Sequence, residues 1–111
     1  PNRKGPITMM PINPKSGPQL NVPRLLERGA VLLDVRTHEE FVGFHLPDAV
    51  NIPFEDLDRQ LPAIRAWGRP VIVYSAADQR SRRALTKLHH HGIVAFDAGS
   101  LDQLRRRLAA H

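Results

Sequence analysis

The stretch Val71–Ser81 (VIVYSAADQRS) decides the fold of this chain, because it has the pattern of a strand, a short loop and the start of a helix. Its first four residues are β-branched, apolar or aromatic, which favours a buried strand. Beyond the loop, apolar residues at helical spacing predict a helix over Ser81–His91. A buried strand that leads directly into a helix is the building unit of α/β domains.

The flanking segments repeat this alternation of strands and helices. Apolar runs predict further strands at Val31–Val35, Ala49–Ile52 and Ile93–Phe96. Short apolar strands separated by helices are typical of a mostly parallel sheet. The sequence therefore predicts an α/β domain with a central, mostly parallel sheet flanked by helices.

Helix start signals lie between these strands. Asn21 can cap a short helix, and Thr37 with Glu40 and Ser100 with Gln103 have the spacing of capping boxes. Leu57, Leu61 and Ile64 have roughly helical spacing, but Pro62 lies among them, so we expect two short helical pieces there.

The length and the proline distribution indicate one domain with an N-terminal arm. A chain of 111 residues fits a single hydrophobic core. Prolines recur through residues 1–19 and interrupt both helices and sheet ladders. We therefore predict a proline-rich extended arm or linker at residues 1–19 and the packed domain at residues 20–111.

The composition limits the classes of function. Sixteen Lys and Arg against 11 Asp and Glu give a net charge of +5, which favours anionic partners. No apolar run approaches the ~18 residues of a membrane span. The chain has no cysteine, so it contains no disulfide and no thiol nucleophile. We favour a cytoplasmic location, with a removed export signal as the alternative.

The loop after the strand at Val71 holds the candidate site. Ligands of parallel α/β sheets bind at the carboxyl ends of strands, where the free amides of the next helix point outward. We expect these amides to face a small anion, with the guanidinium of Arg80 closing the site. The candidate residues are Ser75, Ala76, Ala77, Asp78, Gln79, Arg80 and Ser81.

Two parts of the chain resemble the rhodanese family. The first comprises Leu33-Asp34-Val35-Arg36, Glu40-Phe41, Gly43, His45-Leu46-Pro47 and Ala49-Val50-Asn51-Ile52-Pro53. The second is the strand at Val71 and its loop, which resembles the family pattern C-x-x-G-x-R-[ST]. The loop from Ser75 to Arg80 has six residues, as in the single-domain thiosulfate sulfurtransferases. The resemblance implies a three-layer rhodanese-like fold.

The resemblance also implies transfer of a sulfane sulfur through a persulfide on a cysteine at position 75, without a cofactor. This chain has Ser75 there, and a serine hydroxyl holds no stable persulfide, so we predict that the chain is inactive as a sulfurtransferase. Asp78 replaces the usual glycine of the loop, and Ala98-Gly99 replaces a Gly-Gly pair.

Two explanations of Ser75 stay open. We favour a noncatalytic binding or regulatory module that holds a small anion such as thiosulfate, or an acidic or thiol-bearing protein partner. The alternative is a thiosulfate-type sulfurtransferase whose native cysteine at position 75 is replaced in this chain.

Other charged residues receive more ordinary interpretations. Asp34 and Arg36 either form part of the pocket wall or pair with each other, and we favour the pairing. The consecutive histidines at 89–91 point to different faces of a helix, so we expect no metal site there. Basic runs at residues 80–87 and 105–107 lack neighbouring aromatic residues, which disfavours nucleic-acid binding.

Overall fold

The computed structural model describes residues 20–109, and the predicted arm at residues 1–19 lies outside the described residues. The helices are α1 (Val22–Glu27), α2 (His38–Gly43), α3 (Leu57–Ala66), α4 (Asp78–His90) and α5 (Leu101–Ala109). The strands are β1 (Val31–Asp34), β2 (Val50–Asn51), β3 (Val71–Ser75) and β4 (Ala95–Ser100). A 3-10 turn at Phe54–Asp56 leads into α3.

The four strands form one parallel sheet in the order β2-β1-β3-β4. The central strand β3 is buried along its whole length, which explains its continuous run of β-branched and aromatic residues. The two edges of the sheet are β2 and β4. This architecture confirms the predicted α/β class with a parallel sheet.

Helices cover both faces of the sheet. Successive side chains of a strand point to opposite faces, so Val71 and Val73 pack with α3 and α4 while Ile72 and Tyr74 pack with α1 and α5. Each face thereby has its own hydrophobic core. The three-layer arrangement agrees with the predicted fold.

The helix start signals of the sequence are confirmed. The side chain of Asn21 caps α1. At α2, Thr37 Oγ1 accepts from the amide of Glu40 at 3.1 Å, while the Glu40 carboxylate accepts from the amide of Thr37. Ser100 and Gln103 form the same reciprocal pair at the start of α5, with distances of 3.1 and 2.8 Å.

The expected break at Pro62 is wrong, because α3 runs without interruption through that residue. Leu57, Leu61 and Ile64 are buried on one side of α3, whereas Pro62 is exposed. Proline removes one backbone donor and so weakens the helix at this position. Burial of three large side chains keeps the helix continuous.

Two further boundaries differ from the prediction. Helix α4 begins at Asp78 instead of Ser81, so the true connection after Ser75 is only Ala76 and Ala77. Strand β4 begins at Ala95 instead of Ile93 and continues to Ser100. Its pairing with β3 contains an irregularity near Ala98. Pairing with a buried neighbour extends β4 through residues of low strand propensity.

We predict that Gly99→Ala lowers the free energy of unfolding by about 2 kcal/mol, from the left-handed backbone penalty and a disturbed helix cap. Gly99 has φ +82°, and an added Cβ would collide with Gln103 Oε1, the acceptor of the α5 capping box. The matched control is Gly43→Ala, where an added Cβ meets no atom within 4 Å. Urea unfolding curves of both variants measure the effect, and an equal response of the two would contradict this explanation.

Candidate functional site

The carboxyl ends of β1 and β3 lie side by side. Asp34 is in register with Tyr74, and the amide of Val35 donates to the Tyr74 carbonyl at 3.0 Å. Arg36 follows β1 and Ser75 ends β3, so both residues lie at the same edge of the sheet. This edge is where parallel α/β sheets bind their ligands.

Ser75 ends β3 as a fully buried polar residue. It follows Val71 and Val73 in strand alternation, so its side chain lies on the face that α3 and α4 cover. Its Oγ is buried and has no hydrogen-bond partner among residues 20–109. Within this part of the chain, no basic side chain therefore lies within hydrogen-bond distance of the Ser75 hydroxyl.

The start of α4, three residues beyond Ser75, presents free backbone donors. The N-cap residue Ala77 offers no side-chain cap. The amides of Arg80 and Ser81 bond to the Ala77 carbonyl at 3.2 and 3.4 Å. Among the described residues, the amides at positions 76–79 make none of the turn or loop bonds. The set of amides that can face an anion is therefore smaller than the predicted set of residues 76–81, because α4 begins earlier than expected.

Some side chains at the start of α4 form ion pairs or hydrogen bonds, whereas others point to solvent without an ion-pair partner in the described residues. Asp78 forms an exposed ion pair with Arg82 at 3.5 Å. Ser81 is buried, and its hydroxyl donates to the Asp78 carbonyl at 2.9 Å. Gln79 and Arg80 are exposed, and Arg80 forms no ion pair within residues 20–109. Arg80 is thus a cation near free helix amides.

Asp34 and Arg36 form a buried ion pair. Arg36 Nη2 lies 2.8 Å from Asp34 Oδ2, and Arg36 Nε donates to the same carboxylate at 3.0 Å. The backbone amide of Arg36 also donates to Asp34 Oδ1 at 2.8 Å. Of the two interpretations of Asp34 and Arg36, the structure shows that they pair with each other.

The Arg36 side chain also holds the chain that follows α2. Its Nη2 donates to the Phe44 carbonyl at 2.6 Å. The carboxamide of Asn51 donates to the carbonyls of Asp34 and Arg36, both at 3.0 Å. Sequence reasoning did not assign this role to Asn51, although a polar residue inside an apolar strand is a usable signal. These bonds fix the chain beside the candidate site.

The sequence predicts no metal site at the three consecutive histidines, residues 89–91. His89 Nε2 lies 3.0 Å from the Ala95 carbonyl, while His90 and His91 are exposed. Within residues 20–109, no three His, Cys, Asp or Glu side chains come together in a group that could hold a metal ion. None of the helices in this same range is long and apolar enough to cross a membrane.

Comparison with known proteins identifies the family. The family profile described as "Rhodanese-like domain" matches residues 21–105. An uncharacterized protein of Synechocystis sp. is 36% identical over 98 residues, which cover 85% of this chain and 51% of that protein. The tRNA sulfurtransferase of Thermoplasma acidophilum is 25% identical over 84 residues, which cover 76% of this chain and 16% of that enzyme. The chain thus spans about half or less of these relatives' length.

Solved structures agree with this assignment. A structure described as rhodanese with anions, from E. coli, has a TM-score of 0.61 and 27% identity, with 68% of this chain and 91% of that chain covered. The chain belongs to the rhodanese-like domain family, which is related to sulfurtransferases.

We predict that Asp34→Ala lowers the free energy of unfolding by about 3–5 kcal/mol, because it leaves the buried guanidinium of Arg36 without its charge partner. The matched control is Asp58→Ala, which breaks the exposed pair with Lys87 and is expected to cost less than about 1 kcal/mol. Chemical denaturation of both variants gives the two values. A loss from Asp34→Ala no larger than that of the control would show that the buried pair has little structural importance.

We also predict a loss of stability at alkaline pH that depends on Tyr74. Burial, together with the negative charge of Asp34, raises the pKa of the Tyr74 hydroxyl above its ordinary value. The unfolded chain therefore releases this proton from about pH 10 upward while the folded chain retains it, so stability decreases as pH rises above that value.

Tyr74 is the single tyrosine of the chain, so tyrosinate absorbance reports it alone. We expect tyrosinate to form only together with the loss of the far-ultraviolet circular dichroism signal. Tyr74→Phe should lack this contribution to the pH dependence of unfolding. Ionisation of Tyr74 near pH 10 in a chain that is still folded would contradict the prediction.

Proposed function

We propose that this domain is a noncatalytic rhodanese-like module that binds a small anion such as thiosulfate at the start of α4. The observation that carries the proposal is the set of free amides at the start of α4, three residues beyond the buried Ser75 hydroxyl, which has no partner within the described residues. A buried polar group without a partner costs about 1–3 kcal/mol. Residues 76–79 are exposed, so their amides are the donors that an anion reaches first.

The backbone and Arg80 supply the attraction for the anion. Amides at the N-terminus of a helix bind negative charge through their hydrogen atoms and the positive end of the helix dipole. Arg80 adds a permanent positive charge in the first turn of α4. Asp78 opposes this attraction, but its carboxylate is paired with Arg82, which reduces the opposition.

Sulfur transfer needs a nucleophile that Ser75 does not provide. In that reaction a thiolate attacks the outer sulfur of thiosulfate, a sulfur–sulfur bond forms, and the bond to the leaving sulfite breaks with its electron pair. A serine hydroxyl without a neighbouring base stays protonated, and an oxygen–sulfur product is not a persulfide. Under this proposal the site holds its ligand without reacting.

The ligand of the site in the cell is either a free anion or an acidic side chain of a protein partner. Both present the same chemistry, an anionic oxygen, to the amides of α4 and to Arg80. The thiol-bearing partners that the family resemblance suggests would approach the same edge of the sheet. Competition between thiosulfate and an acidic peptide in a binding assay would separate these sources.

A second candidate function is sulfur transfer by a form of the protein with cysteine at position 75. Its support is membership of a family related to sulfurtransferases, one relative of which is named a tRNA sulfurtransferase. The six-residue spacing from position 75 to Arg80 also suits it. In that form the amides near position 76 would stabilise the persulfide, and Arg80 with Arg36 would orient the anionic donor.

The first experiment measures thiosulfate:cyanide sulfurtransferase activity of this chain and of Ser75→Cys, with persulfide formation followed by mass spectrometry. We expect no turnover and no persulfide in the chain with Ser75. Activity of Ser75→Cys would support the second candidate, whereas inactivity of both proteins would support the binding module. Turnover by the chain with Ser75 would contradict the noncatalytic proposal.

The second experiment measures thiosulfate binding by calorimetry in the chain with Ser75. Arg80→Gln should weaken binding by about tenfold, the effect of losing one charge-assisted hydrogen bond. The matched control is Arg65→Gln, at another exposed position, on α3, which should leave binding unchanged. Absence of thiosulfate binding, or an equal effect of the two variants, would contradict an anion site at α4.

A further inference from the structure

A groove lies beside the edge strand β4, away from the Ser75 site. Its volume is about 540 Å³, within the ~300–1,000 Å³ of small-molecule sites. Most of its apolar lining comes from α1, α4 and β4. The apolar lining residues are Leu20, Leu25, Leu85, Ala95 and Phe96.

The polar lining of this β4-edge groove is mainly cationic. Arg24 and Arg28 of the α1 segment and Arg107 of α5 contribute three guanidinium groups. None of the three takes part in the ion pairs formed within residues 20–109. Asp97 is the acidic lining residue, and its Oδ1 already accepts the amide of Gly99 at 2.7 Å.

Arg107 is the half-buried arginine of this lining, whereas Arg24 and Arg28 are exposed. Its Nε is buried, yet it has no hydrogen-bond partner among the described residues. A buried donor of a charged group is costly when it is unpaired, and the guanidinium of Arg107, which lines the groove, is the group through which an acceptor there would be bound. The apolar wall and the Arg107 guanidinium therefore suit two different parts of one ligand, an apolar part and an anionic part.

We propose that the β4-edge groove binds a small amphipathic anion, with an apolar chain against Leu25, Leu85 and Phe96 and a carboxylate at Arg107. Arg24 and Arg28 add positive charge at the rim. Ligand sites of this size are mostly apolar with a few placed polar groups that fix orientation, which is the composition found here. The proposal is independent of the anion site at α4.

The charge of the groove argues against the N-terminal residues as its occupant. Residues 1–19 lead directly into Leu20 and include the apolar stretch Ile7–Ile12, so they are within reach along the chain. They also carry Arg3, Lys4 and Lys15 and no acidic residue. Placing them against three arginines would bring like charges together, whereas an anionic ligand complements the groove.

The test is a titration of the full chain with decanoate, below its micelle concentration, followed by amide chemical shifts. We expect saturable shifts concentrated at Leu25, Leu85 and Phe96. Arg107→Gln should weaken decanoate binding by about tenfold, because a charge-assisted hydrogen bond is lost. The uncharged 1-decanol should bind both proteins with similar affinity.

The matched control is Arg106→Gln, which removes the neighbouring exposed arginine of α5 that does not line the groove. It should leave decanoate affinity unchanged. Circular dichroism spectra establish that each variant is folded, and Arg28→Gln provides a second test at the rim if Arg107→Gln unfolds.

Three results would overturn the proposal. One is an equal effect of Arg107→Gln and Arg106→Gln on decanoate binding. Another is a set of decanoate shifts that excludes the groove residues. The third is the presence, in the ligand-free chain, of nuclear Overhauser contacts from the groove to Ile7–Ile12 or to a second copy, since the groove would then already be occupied.

Discussion

The buried ion pair between Asp34 and Arg36 organises the edge of the sheet on which the candidate site depends. Charges are removed from water at a high cost, which only close pairing and additional hydrogen bonds offset. Here the Asp34 carboxylate accepts from both the side chain and the backbone of Arg36. Arg36 in turn holds the Phe44 carbonyl, and Asn51 holds the carbonyls on either side of Val35. The chain after β1 is thereby fixed beside the end of β3.

Within that frame, the difference between serine and cysteine at position 75 decides the chemistry. The backbone supplies what an anion needs, namely the free amides and the positive end of α4. It does not supply a thiolate. Under the proposed function, a hydroxyl at this place keeps its proton. The geometry that would stabilise a persulfide on cysteine would then, with Ser75, hold an anion without reacting.

Much of the fold could be predicted from local patterns. The buried run at β3, the alternation of strands and helices, and the capping residues Asn21, Thr37 and Ser100 all express local preferences that the tertiary structure keeps. The boundaries at Pro62 and at β4 could not be predicted in this way. Burial of one side of α3 and pairing of β4 with β3 overrule the local preference of the sequence at both places.

The candidate site was predictable in outline and less so in detail. Topology alone brings the residues after β1 and β3 to one edge of the sheet, so Asp34, Arg36 and the Ser75 loop could be grouped in advance. In the early start of α4, the amides of Arg80 and Ser81 bond to the Ala77 carbonyl. This start depends on how the helix packs against the sheet. The β4-edge groove draws on residues distant in sequence, and no local pattern indicates it.

The most direct measurement for the central claim is an amide chemical-shift titration of the chain with thiosulfate. If the start of α4 holds an anion without reacting, the amides of residues 76–79 shift with a common saturation curve while the mass of the protein is unchanged. Shifts that spare these amides and follow exposed arginines elsewhere, or a mass increase of one sulfur atom, would contradict the account.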